Sequence, residues 1–419
     1  MKDAGDDGIA FLVAQYPAIN HAVILREIRE LRKFFVIRTA SIRSCDRPKE
    51  QLSEEEREEL AQTFYVKQAG LSAFLVALLE LVCTRPLRLA KAALFAVKSA
   101  GFDVRQTVKN CAYLAEAMVL GRWMRRQQLR RLHVHYSSTV GLFMARVFPI
   151  ELSISFHGPD EFSDPVGFCL REKIEACTFV RAISHYARGL LMANSPVEQW
   201  HKIEVAYMGV DPAVWSPHVF REHPDPVEVI SVGRLAPVKG QQILIAAVAN
   251  LVREGRKVLL HVVGSGPERN RLEYEVEARR LGGHVIFHGS KRPDELHRLY
   301  SASDMFVLTS FAEGLPGVLM EAMAMAMPCV SSWITGVPEL LRDGIDGLLV
   351  PPGDECAVTA AIARLIDDPE LRRRMGASAR RRVQDKFDLR KNACHLASVL
   401  ARYAGNGHEE EREALRKLE

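Results

Sequence analysis

The sequence is short of the signals that mark the simplest function classes. Its eight cysteines are scattered, with no CxxC pair and no Cys/His cluster at zinc spacing. That excludes a recognisable zinc motif and predicts reduced, mostly buried thiols in an intracellular protein. The opening residues MKDAGDDGIAFLVAQYP are acidic and carry no basic leader, so no secretory signal is expected and the cytoplasm is the expected compartment. The longest apolar run, Leu71 to Cys83, contains Glu80 and falls short of the roughly 20 residues that span a bilayer, so no crossing segment is expected. There is no GxSxG nucleophile turn, no DxD after a strand, and no GxGxxG after the first apolar run. Serine hydrolysis, a metal-held diphosphate and dinucleotide redox chemistry therefore lack their usual signatures.

What is present is ordinary globular material in a long chain. At 419 residues, with 48% hydrophobic and 26% charged residues, two packed domains are expected. Apolar runs IAFLVA, LHVHYS, LSISFH, TFVRAIS and IEVAYMG alternate with helical patterns up to about residue 212. After a Pro-rich stretch the alternation restarts with VEVISVG, KVLLHVVG, HVIFHG, MFVLTS, PCVSS and GLLVPP. Such alternation predicts an α/β fold of two doubly wound parallel sheets, with ligands bound beyond the carboxyl ends of the strands. The expected domains are 1–212 and 213–386, followed by 387–419 as a helix crossing back to the N-terminal domain and a charged tail.

One stretch, about 70–132, breaks the pattern. Between Thr84 and His133 eleven Lys and Arg residues stand against Asp103 and Glu116, although the whole chain carries only +4. Interleaved with Leu87, Leu94, Val97 and Phe102, they read as basic amphipathic helices suited to an anionic membrane surface, or as a solvated charged face on packed helices. Nucleic acid is disfavoured, because no recognised binding module or set of interleaved surface aromatics accompanies the charge.

The residues with chemical promise lie in strand-to-helix loops. In FAEGLPGVLMEAMA the turn Leu315–Pro316–Gly317 opens a helix whose N–H groups suit a phosphate, with Glu313 before it and Glu321 within it. A carboxylate there can accept two hydrogen bonds from a vicinal diol. A lone pair of glutamates is more often two surface charges, but ISVGRLAPVKG adds Arg234 and Lys239, cations able to stabilise a leaving diphosphate. In VVGSGPE, Gly264 and Gly266 permit close backbone approach, or make a tight turn and nothing more.

Taken together, VGRLAPVKG, VVGSGPE, DMFVLTSFAEGLPGVLMEAMA, TGVPELLRDGIDGLLVPPGD and the later FDL strongly resemble the nucleotide-sugar domain of the GT-B glycosyltransferases of family 4. Looser similarity in QYPAINHAVILREIREL, HVHYSS, SFHGPDEF and RAISHYARGLL points to the bacterial exopolysaccharide and capsule subgroup. The resemblance implies a GT-B fold, two Rossmann-like domains facing a central cleft, and a retaining transferase that needs no cofactor or metal. It assigns Arg234 and Lys239 to the donor diphosphate, Glu321 to the ribose, Glu313 to the donor sugar and His157 to the transferred sugar. Asp160 is a candidate for positioning sugar or acceptor, Asn20 and His21 are polar candidates in the first loop, and His133 and His135 are read as structural. The implied partners are a nucleotide-sugar donor and a saccharide or lipid-linked saccharide acceptor, to which the basic stretch adds an anionic membrane surface at the inner face of the cytoplasmic membrane.

Two positions depart from the family pattern. Ala326 and Thr335 stand where glycines are usual. Together with the first loop PAINHAV, which lacks the Gly-Gly common to many relatives, they keep open the alternative of a catalytically silent sugar-nucleotide-binding scaffold. An epimerase or a phosphorylase fits less well, the latter needing greater length and a pyridoxal lysine.

Overall fold

The computed structural model describes residues 8–217 and 219–403, excluding the side chains of Asn20 and Asp160. It divides into two compact units, Met1–Tyr207 with Ala393–Glu419, and Met208–Asn392.

The first unit carries a seven-stranded sheet of β1 (Ile9–Gln15), β2 (Ile37–Arg43), β3 (Phe64–Tyr65), β4 (Arg131–His135), β5 (Glu151–Phe156), β6 (Phe179–Ala182) and β7 (Ile203–Val205). Every pairing is parallel and the order is β3-β2-β1-β4-β5-β6-β7. Strands covered by helices on both faces read as continuous apolar runs, which is why β1, β4, β5 and β6 are legible from composition. Leu12, Val134, Ile154 and Val180 form its buried centre with Leu120 and Phe143 of the covering helices.

The second unit repeats the plan with six strands: β8 (Val227–Val232), β9 (Val258–Val263), β10 (Val285–Gly289), β11 (Met305–Leu308), β12 (Cys329–Ser332) and β13 (Gly347–Val350). Their order, β10-β9-β8-β11-β12-β13, reverses direction between β8 and β11, as the first sheet reverses between β1 and β4. At such reversals the loops leaving adjacent strands run to opposite faces, and a crevice opens at the carboxyl ends.

The structure adds to the sequence reading at three points, and at the second, the burial of the thiols, it corrects it. Strands β2 and β3 were not legible, because exposed Arg38 and Arg43 punctuate the first and the second has two residues. The thiols are free, but only Cys169, Cys177 and Cys329 are buried, while Cys83, Cys111 and Cys356 are exposed. The apolar run at Leu71 extends into helical structure over Lys67–Thr84, which is long and apolar enough to cross a membrane by length and composition.

The first unit also buries an ion pair. Arg181 of β6 donates Nη1 and Nη2 to the two carboxylate oxygens of Glu27, 2.7 Å each, and its Nε to the Ala206 carbonyl. Both side chains are sealed from solvent, at 0% and 1% exposure. The fork leaves neither charge unmatched, and removing one member strands the other in a low-dielectric interior. Glu27→Ala is expected to cost about 3–5 kcal/mol, read as a lower urea midpoint for the first unit.

Candidate functional site

The loops leaving β8 and β11 are knitted together at the reversal of the second sheet. Phe311 N–H donates to the Val238 carbonyl at 2.8 Å, and the Thr309 hydroxyl donates to the Gly240 carbonyl at 2.9 Å. Gly240 has φ +60°, and a Cβ there would lie 2.2 Å from the Thr309 carbonyl oxygen, so no side chain fits. Across this seam Lys239 Nζ reaches Glu313 Oε1 at 2.5 Å, with side chains 23% and 9% exposed. Ser310 Oγ donates to the same oxygen at 2.6 Å. Glu313 is therefore a buried loop carboxylate held from two sides, and the surface-charge alternative does not apply to it.

Arg234 lies in the same β8 loop, exposed, its side chain making no hydrogen bond or ion pair with a described residue. Its carbonyl accepts from Gln241 Nε2 at 3.0 Å, which fixes the loop around it. Gly264 and Gly266 pack against this loop. A Cβ on Gly264 would fall 1.9 Å from the Gly233 carbonyl oxygen, and one on Gly266 2.2 Å from that of Leu235. Their missing side chains thus serve backbone-on-backbone packing that holds Arg234's loop in place.

Helix Gly317–Ala324 follows Glu313, with Leu315 buried and Pro316 at the N-cap, one position earlier than a first-turn proline. Leu319 and Met320 N–H donate to the Pro316 carbonyl, leaving the N–H groups of Gly317 and Val318 without a partner among the described residues. Glu321 sits one turn in, 8% exposed, and accepts from the Tyr300 hydroxyl at 3.4 Å.

Both atypical positions adopt the left-handed backbone that glycine favours, Ala326 at φ +58° and Thr335 at φ +41°. The turns keep their shape without the glycine, at a cost of about 1–2 kcal/mol per residue. Thr335 recovers part of this: its hydroxyl donates to the Glu313 carbonyl, and Glu313 N–H donates back to it at 3.3 Å. The unusual threonine thereby clamps the backbone of the buried glutamate.

In the first unit, polar aromatic rings gather at the β1/β4 reversal. His21, after β1, stacks on Tyr136, after β4, with centroids 4.7 Å apart, and Tyr136 stacks on His157, after β5, at 4.5 Å. His157 Nε2 and His135 Nδ1 are 2.8 Å apart, so one proton is shared between two rings. His157 Nδ1 and His135 Nε2 are buried without a partner among the described residues. Burial first, then neighbouring positive groups, hold both imidazoles well below the usual histidine range and therefore neutral. Asn20 and Asp160, also proposed from sequence, lie outside the described side chains.

Residues 217–382 match the model of the family described as glycosyl transferases group 1. Residues 217–382 are thus similar to group 1 glycosyltransferases, and the two parallel-sheet units have the GT-B fold of the solved neighbours. Over 66% of its length it is 28% identical to alpha-D-kanosaminyltransferase of Streptomyces kanamyceticus, spanning 78% of that protein. Over 51% of its length it is 31% identical to the amylovoran biosynthesis glycosyltransferase AmsK of Erwinia amylovora, spanning 54% of it. The solved structure of Anabaena Alr3699/HepE in complex with UDP superposes with a TM-score of 0.69 at 19% identity, covering 94% of this chain and all of the other. Sucrose-phosphate synthase of Thermosynechococcus elongatus gives 0.70 at 21% identity, covering 94% of this chain and 98% of its own.

Sequence reasoning missed three residues of these polar clusters: Ser310, Tyr136 and His135, the last read as structural. The alternation in HVHYSS, which aims His133 and His135 at one face of β4, was the available signal. His133 is structural in the strict sense, its nitrogens 2.7 and 2.8 Å from the Ser153 and Ser155 hydroxyls. Burial, with Arg181 nearby, pushes His133 down to about 3. An unfolded histidine protonates near pH 6.5 while this one stays neutral, so the unfolded chain binds more protons between those values. Stability is expected to be complete above about pH 6.5 and to fall as pH drops toward 3. Urea midpoints measured along that range are expected to fall less steeply in His133→Gln.

Proposed function

We propose that this chain transfers a sugar from a nucleoside diphosphate sugar to a saccharide acceptor, lipid-linked and destined for the cell surface, with retention at the anomeric carbon. The observation that carries the reading is the Lys239–Glu313 pair at the β8/β11 reversal, flanked by the N–H groups of Gly317 and Val318. Lys239 and Arg234 are placed on the strand-end loop where two cations can meet a diphosphate, and the helix N-terminus adds partial positive charge. The UDP in the Anabaena HepE structure, and the polysaccharide named for AmsK, support this donor and acceptor class.

In the proposed step the acceptor hydroxyl attacks the anomeric carbon from the side of the departing diphosphate. The carbon–oxygen bond to phosphate breaks, and the leaving phosphate oxygen takes the acceptor proton. The protein is then asked to orient reactants and to stabilise growing negative charge, tasks for preorganised cations and dipoles rather than for a metal or a protein base. Glu313, fixed by Ser310 and Thr335, would hold donor sugar hydroxyls, and Glu321 the ribose diol. His157 would meet the transferred sugar through Nδ1, with Asp160 and Asn20 as further polar contacts. The scaffold alternative loses two of its three motives, since Ala326 and Thr335 keep the left-handed turns that glycines would make.

A thermal-shift screen of UDP-, GDP- and ADP-sugars is expected to raise the melting midpoint with one base class, by mass action on the folded state. With that donor, Lys239→Ala and Glu313→Ala are each expected to cut turnover about a hundredfold or more. Glu321→Ala should instead weaken the free nucleoside diphosphate about ten- to a hundredfold. A screen in which no sugar nucleotide shifts the midpoint sinks the reading.

A further inference from the structure

The helices Gly70–Thr84 and Pro86–Lys98 form a layer outside the helix Val104–Arg126, held by small contacts. Ala77, Leu81, Ala92 and Ala96 are buried there, in one cluster with Leu114 and Ala117. Their other faces have no cover among the described residues. Leu71, Leu75, Leu79 and Val82 recur at helical spacing and are all exposed, Leu71 by 71%. On the next helix Leu87, Lys91, Leu94 and Lys98 share one stripe, with Leu87 77% exposed. Phe102, in the turn that follows, is fully exposed, as are Val104 and Val108 in large part.

Charge separates the candidate occupants of this face. Residues 85–109 hold six Lys and Arg and a single acid, Asp103, whose carboxylate is already used as the N-cap of helix Val104–Arg126. Arg122 and Arg125 are paired with Glu80, so their charge is partly offset and they are left out of the count. Arg88, Lys91, Lys98, Arg105 and Lys109 do, being exposed and without a described partner. A second copy docked through the same patch would set like charges against each other. Apart from Phe102 the face offers leucines and valines, on which bases have nothing to stack. An anionic lipid surface takes both components at once, acyl chains receiving the apolar stripe and headgroups the ammonium and guanidinium tips.

We infer that this two-helix layer and the Phe102 turn form the face by which the chain lies on an anionic membrane. The helix from Gly70 lies along the surface rather than through it, because Ala77 and Leu81 are buried in protein and Glu80 is held by two arginines of the next layer. This inference does not depend on the donor chemistry.

The test is flotation of the purified full chain with phosphatidylcholine vesicles, with and without phosphatidylglycerol. Binding is expected only to the anionic vesicles and released by high salt. Each cation near such a surface is worth about fivefold in partitioning, so Lys91→Glu with Lys98→Glu and Arg105→Glu should lower binding about a hundredfold or more. Leu75→Gln with Leu79→Gln and Leu94→Gln should lower it at least about tenfold. Both triple variants change exposed residues and should keep the parent's circular dichroism and thermal midpoint. The inference is overturned by binding that ignores lipid charge, by no binding, or by folded variants that bind as the parent does. It is equally overturned by a concentration-dependent dimer that the leucine substitutions disperse, which would give the face to a second copy.

Discussion

Strand order controls where chemistry can gather in this chain. In a parallel sheet every strand ends at the same edge, but most successive loops are covered by the helix they lead to. Only where the order reverses do two adjacent strands send their connections to opposite faces and leave their ends uncovered. Both sheets reverse once, at β1/β4 and at β8/β11. Lys239 and Glu313 come from the two strands flanking the second reversal, and His21 and Tyr136 from the two flanking the first. Residues 74 positions apart in one case are joined by topology alone.

The two polar clusters differ in how they carry charge. At β8/β11 a partly exposed lysine faces a nearly buried glutamate, so a cation and an anion coexist at short range with a hydroxyl supporting the anion. A diphosphate entering there would compete with Glu313 for Lys239, and the Ser310 and Thr335 bonds would keep the carboxylate in place when the lysine turns away. At β1/β4 the imidazoles are buried and neutral. Neutral rings offer a hydroxyl-bearing ligand one donor and one acceptor without the cost of desolvating a charge.

Most of the fold was legible because buried parallel strands are apolar throughout, and eleven of thirteen described strands stand out as runs. Strand β2 hid behind exposed Arg38 and Arg43, and β3 is too short to have a pattern. The site was legible in its charged members, which sit in quotable motifs next to strand ends. What could not be read were partnerships between loops far apart in sequence: Thr335 with Glu313, and His135 with His157. Such contacts depend on register and loop conformation, and neither leaves a local mark. The same holds for the basic stretch, where pattern alone did not show that Arg122 and Arg125 are paired with Glu80 while Lys91 and Lys98 are left without a described partner.

Thr335 shows why a motif is better read as a backbone requirement than as a string of letters. A β-branched residue at positive φ is disfavoured, and nothing about threonine makes that turn easier. It persists because the structure determines the conformation from both sides. Gly336 beside it has no room for a Cβ, which would lie 2.4 Å from the Gly314 carbonyl oxygen, and the Thr335 hydroxyl exchanges hydrogen bonds with Glu313. The strain is thus tied to the residue on which the proposed sugar contact rests, in keeping with the tendency of sparsely populated backbone conformations to collect at functional loops. A glycine would relieve the strain and release the glutamate's backbone together, so the departure from the family pattern exchanges backbone ease for a more firmly held carboxylate.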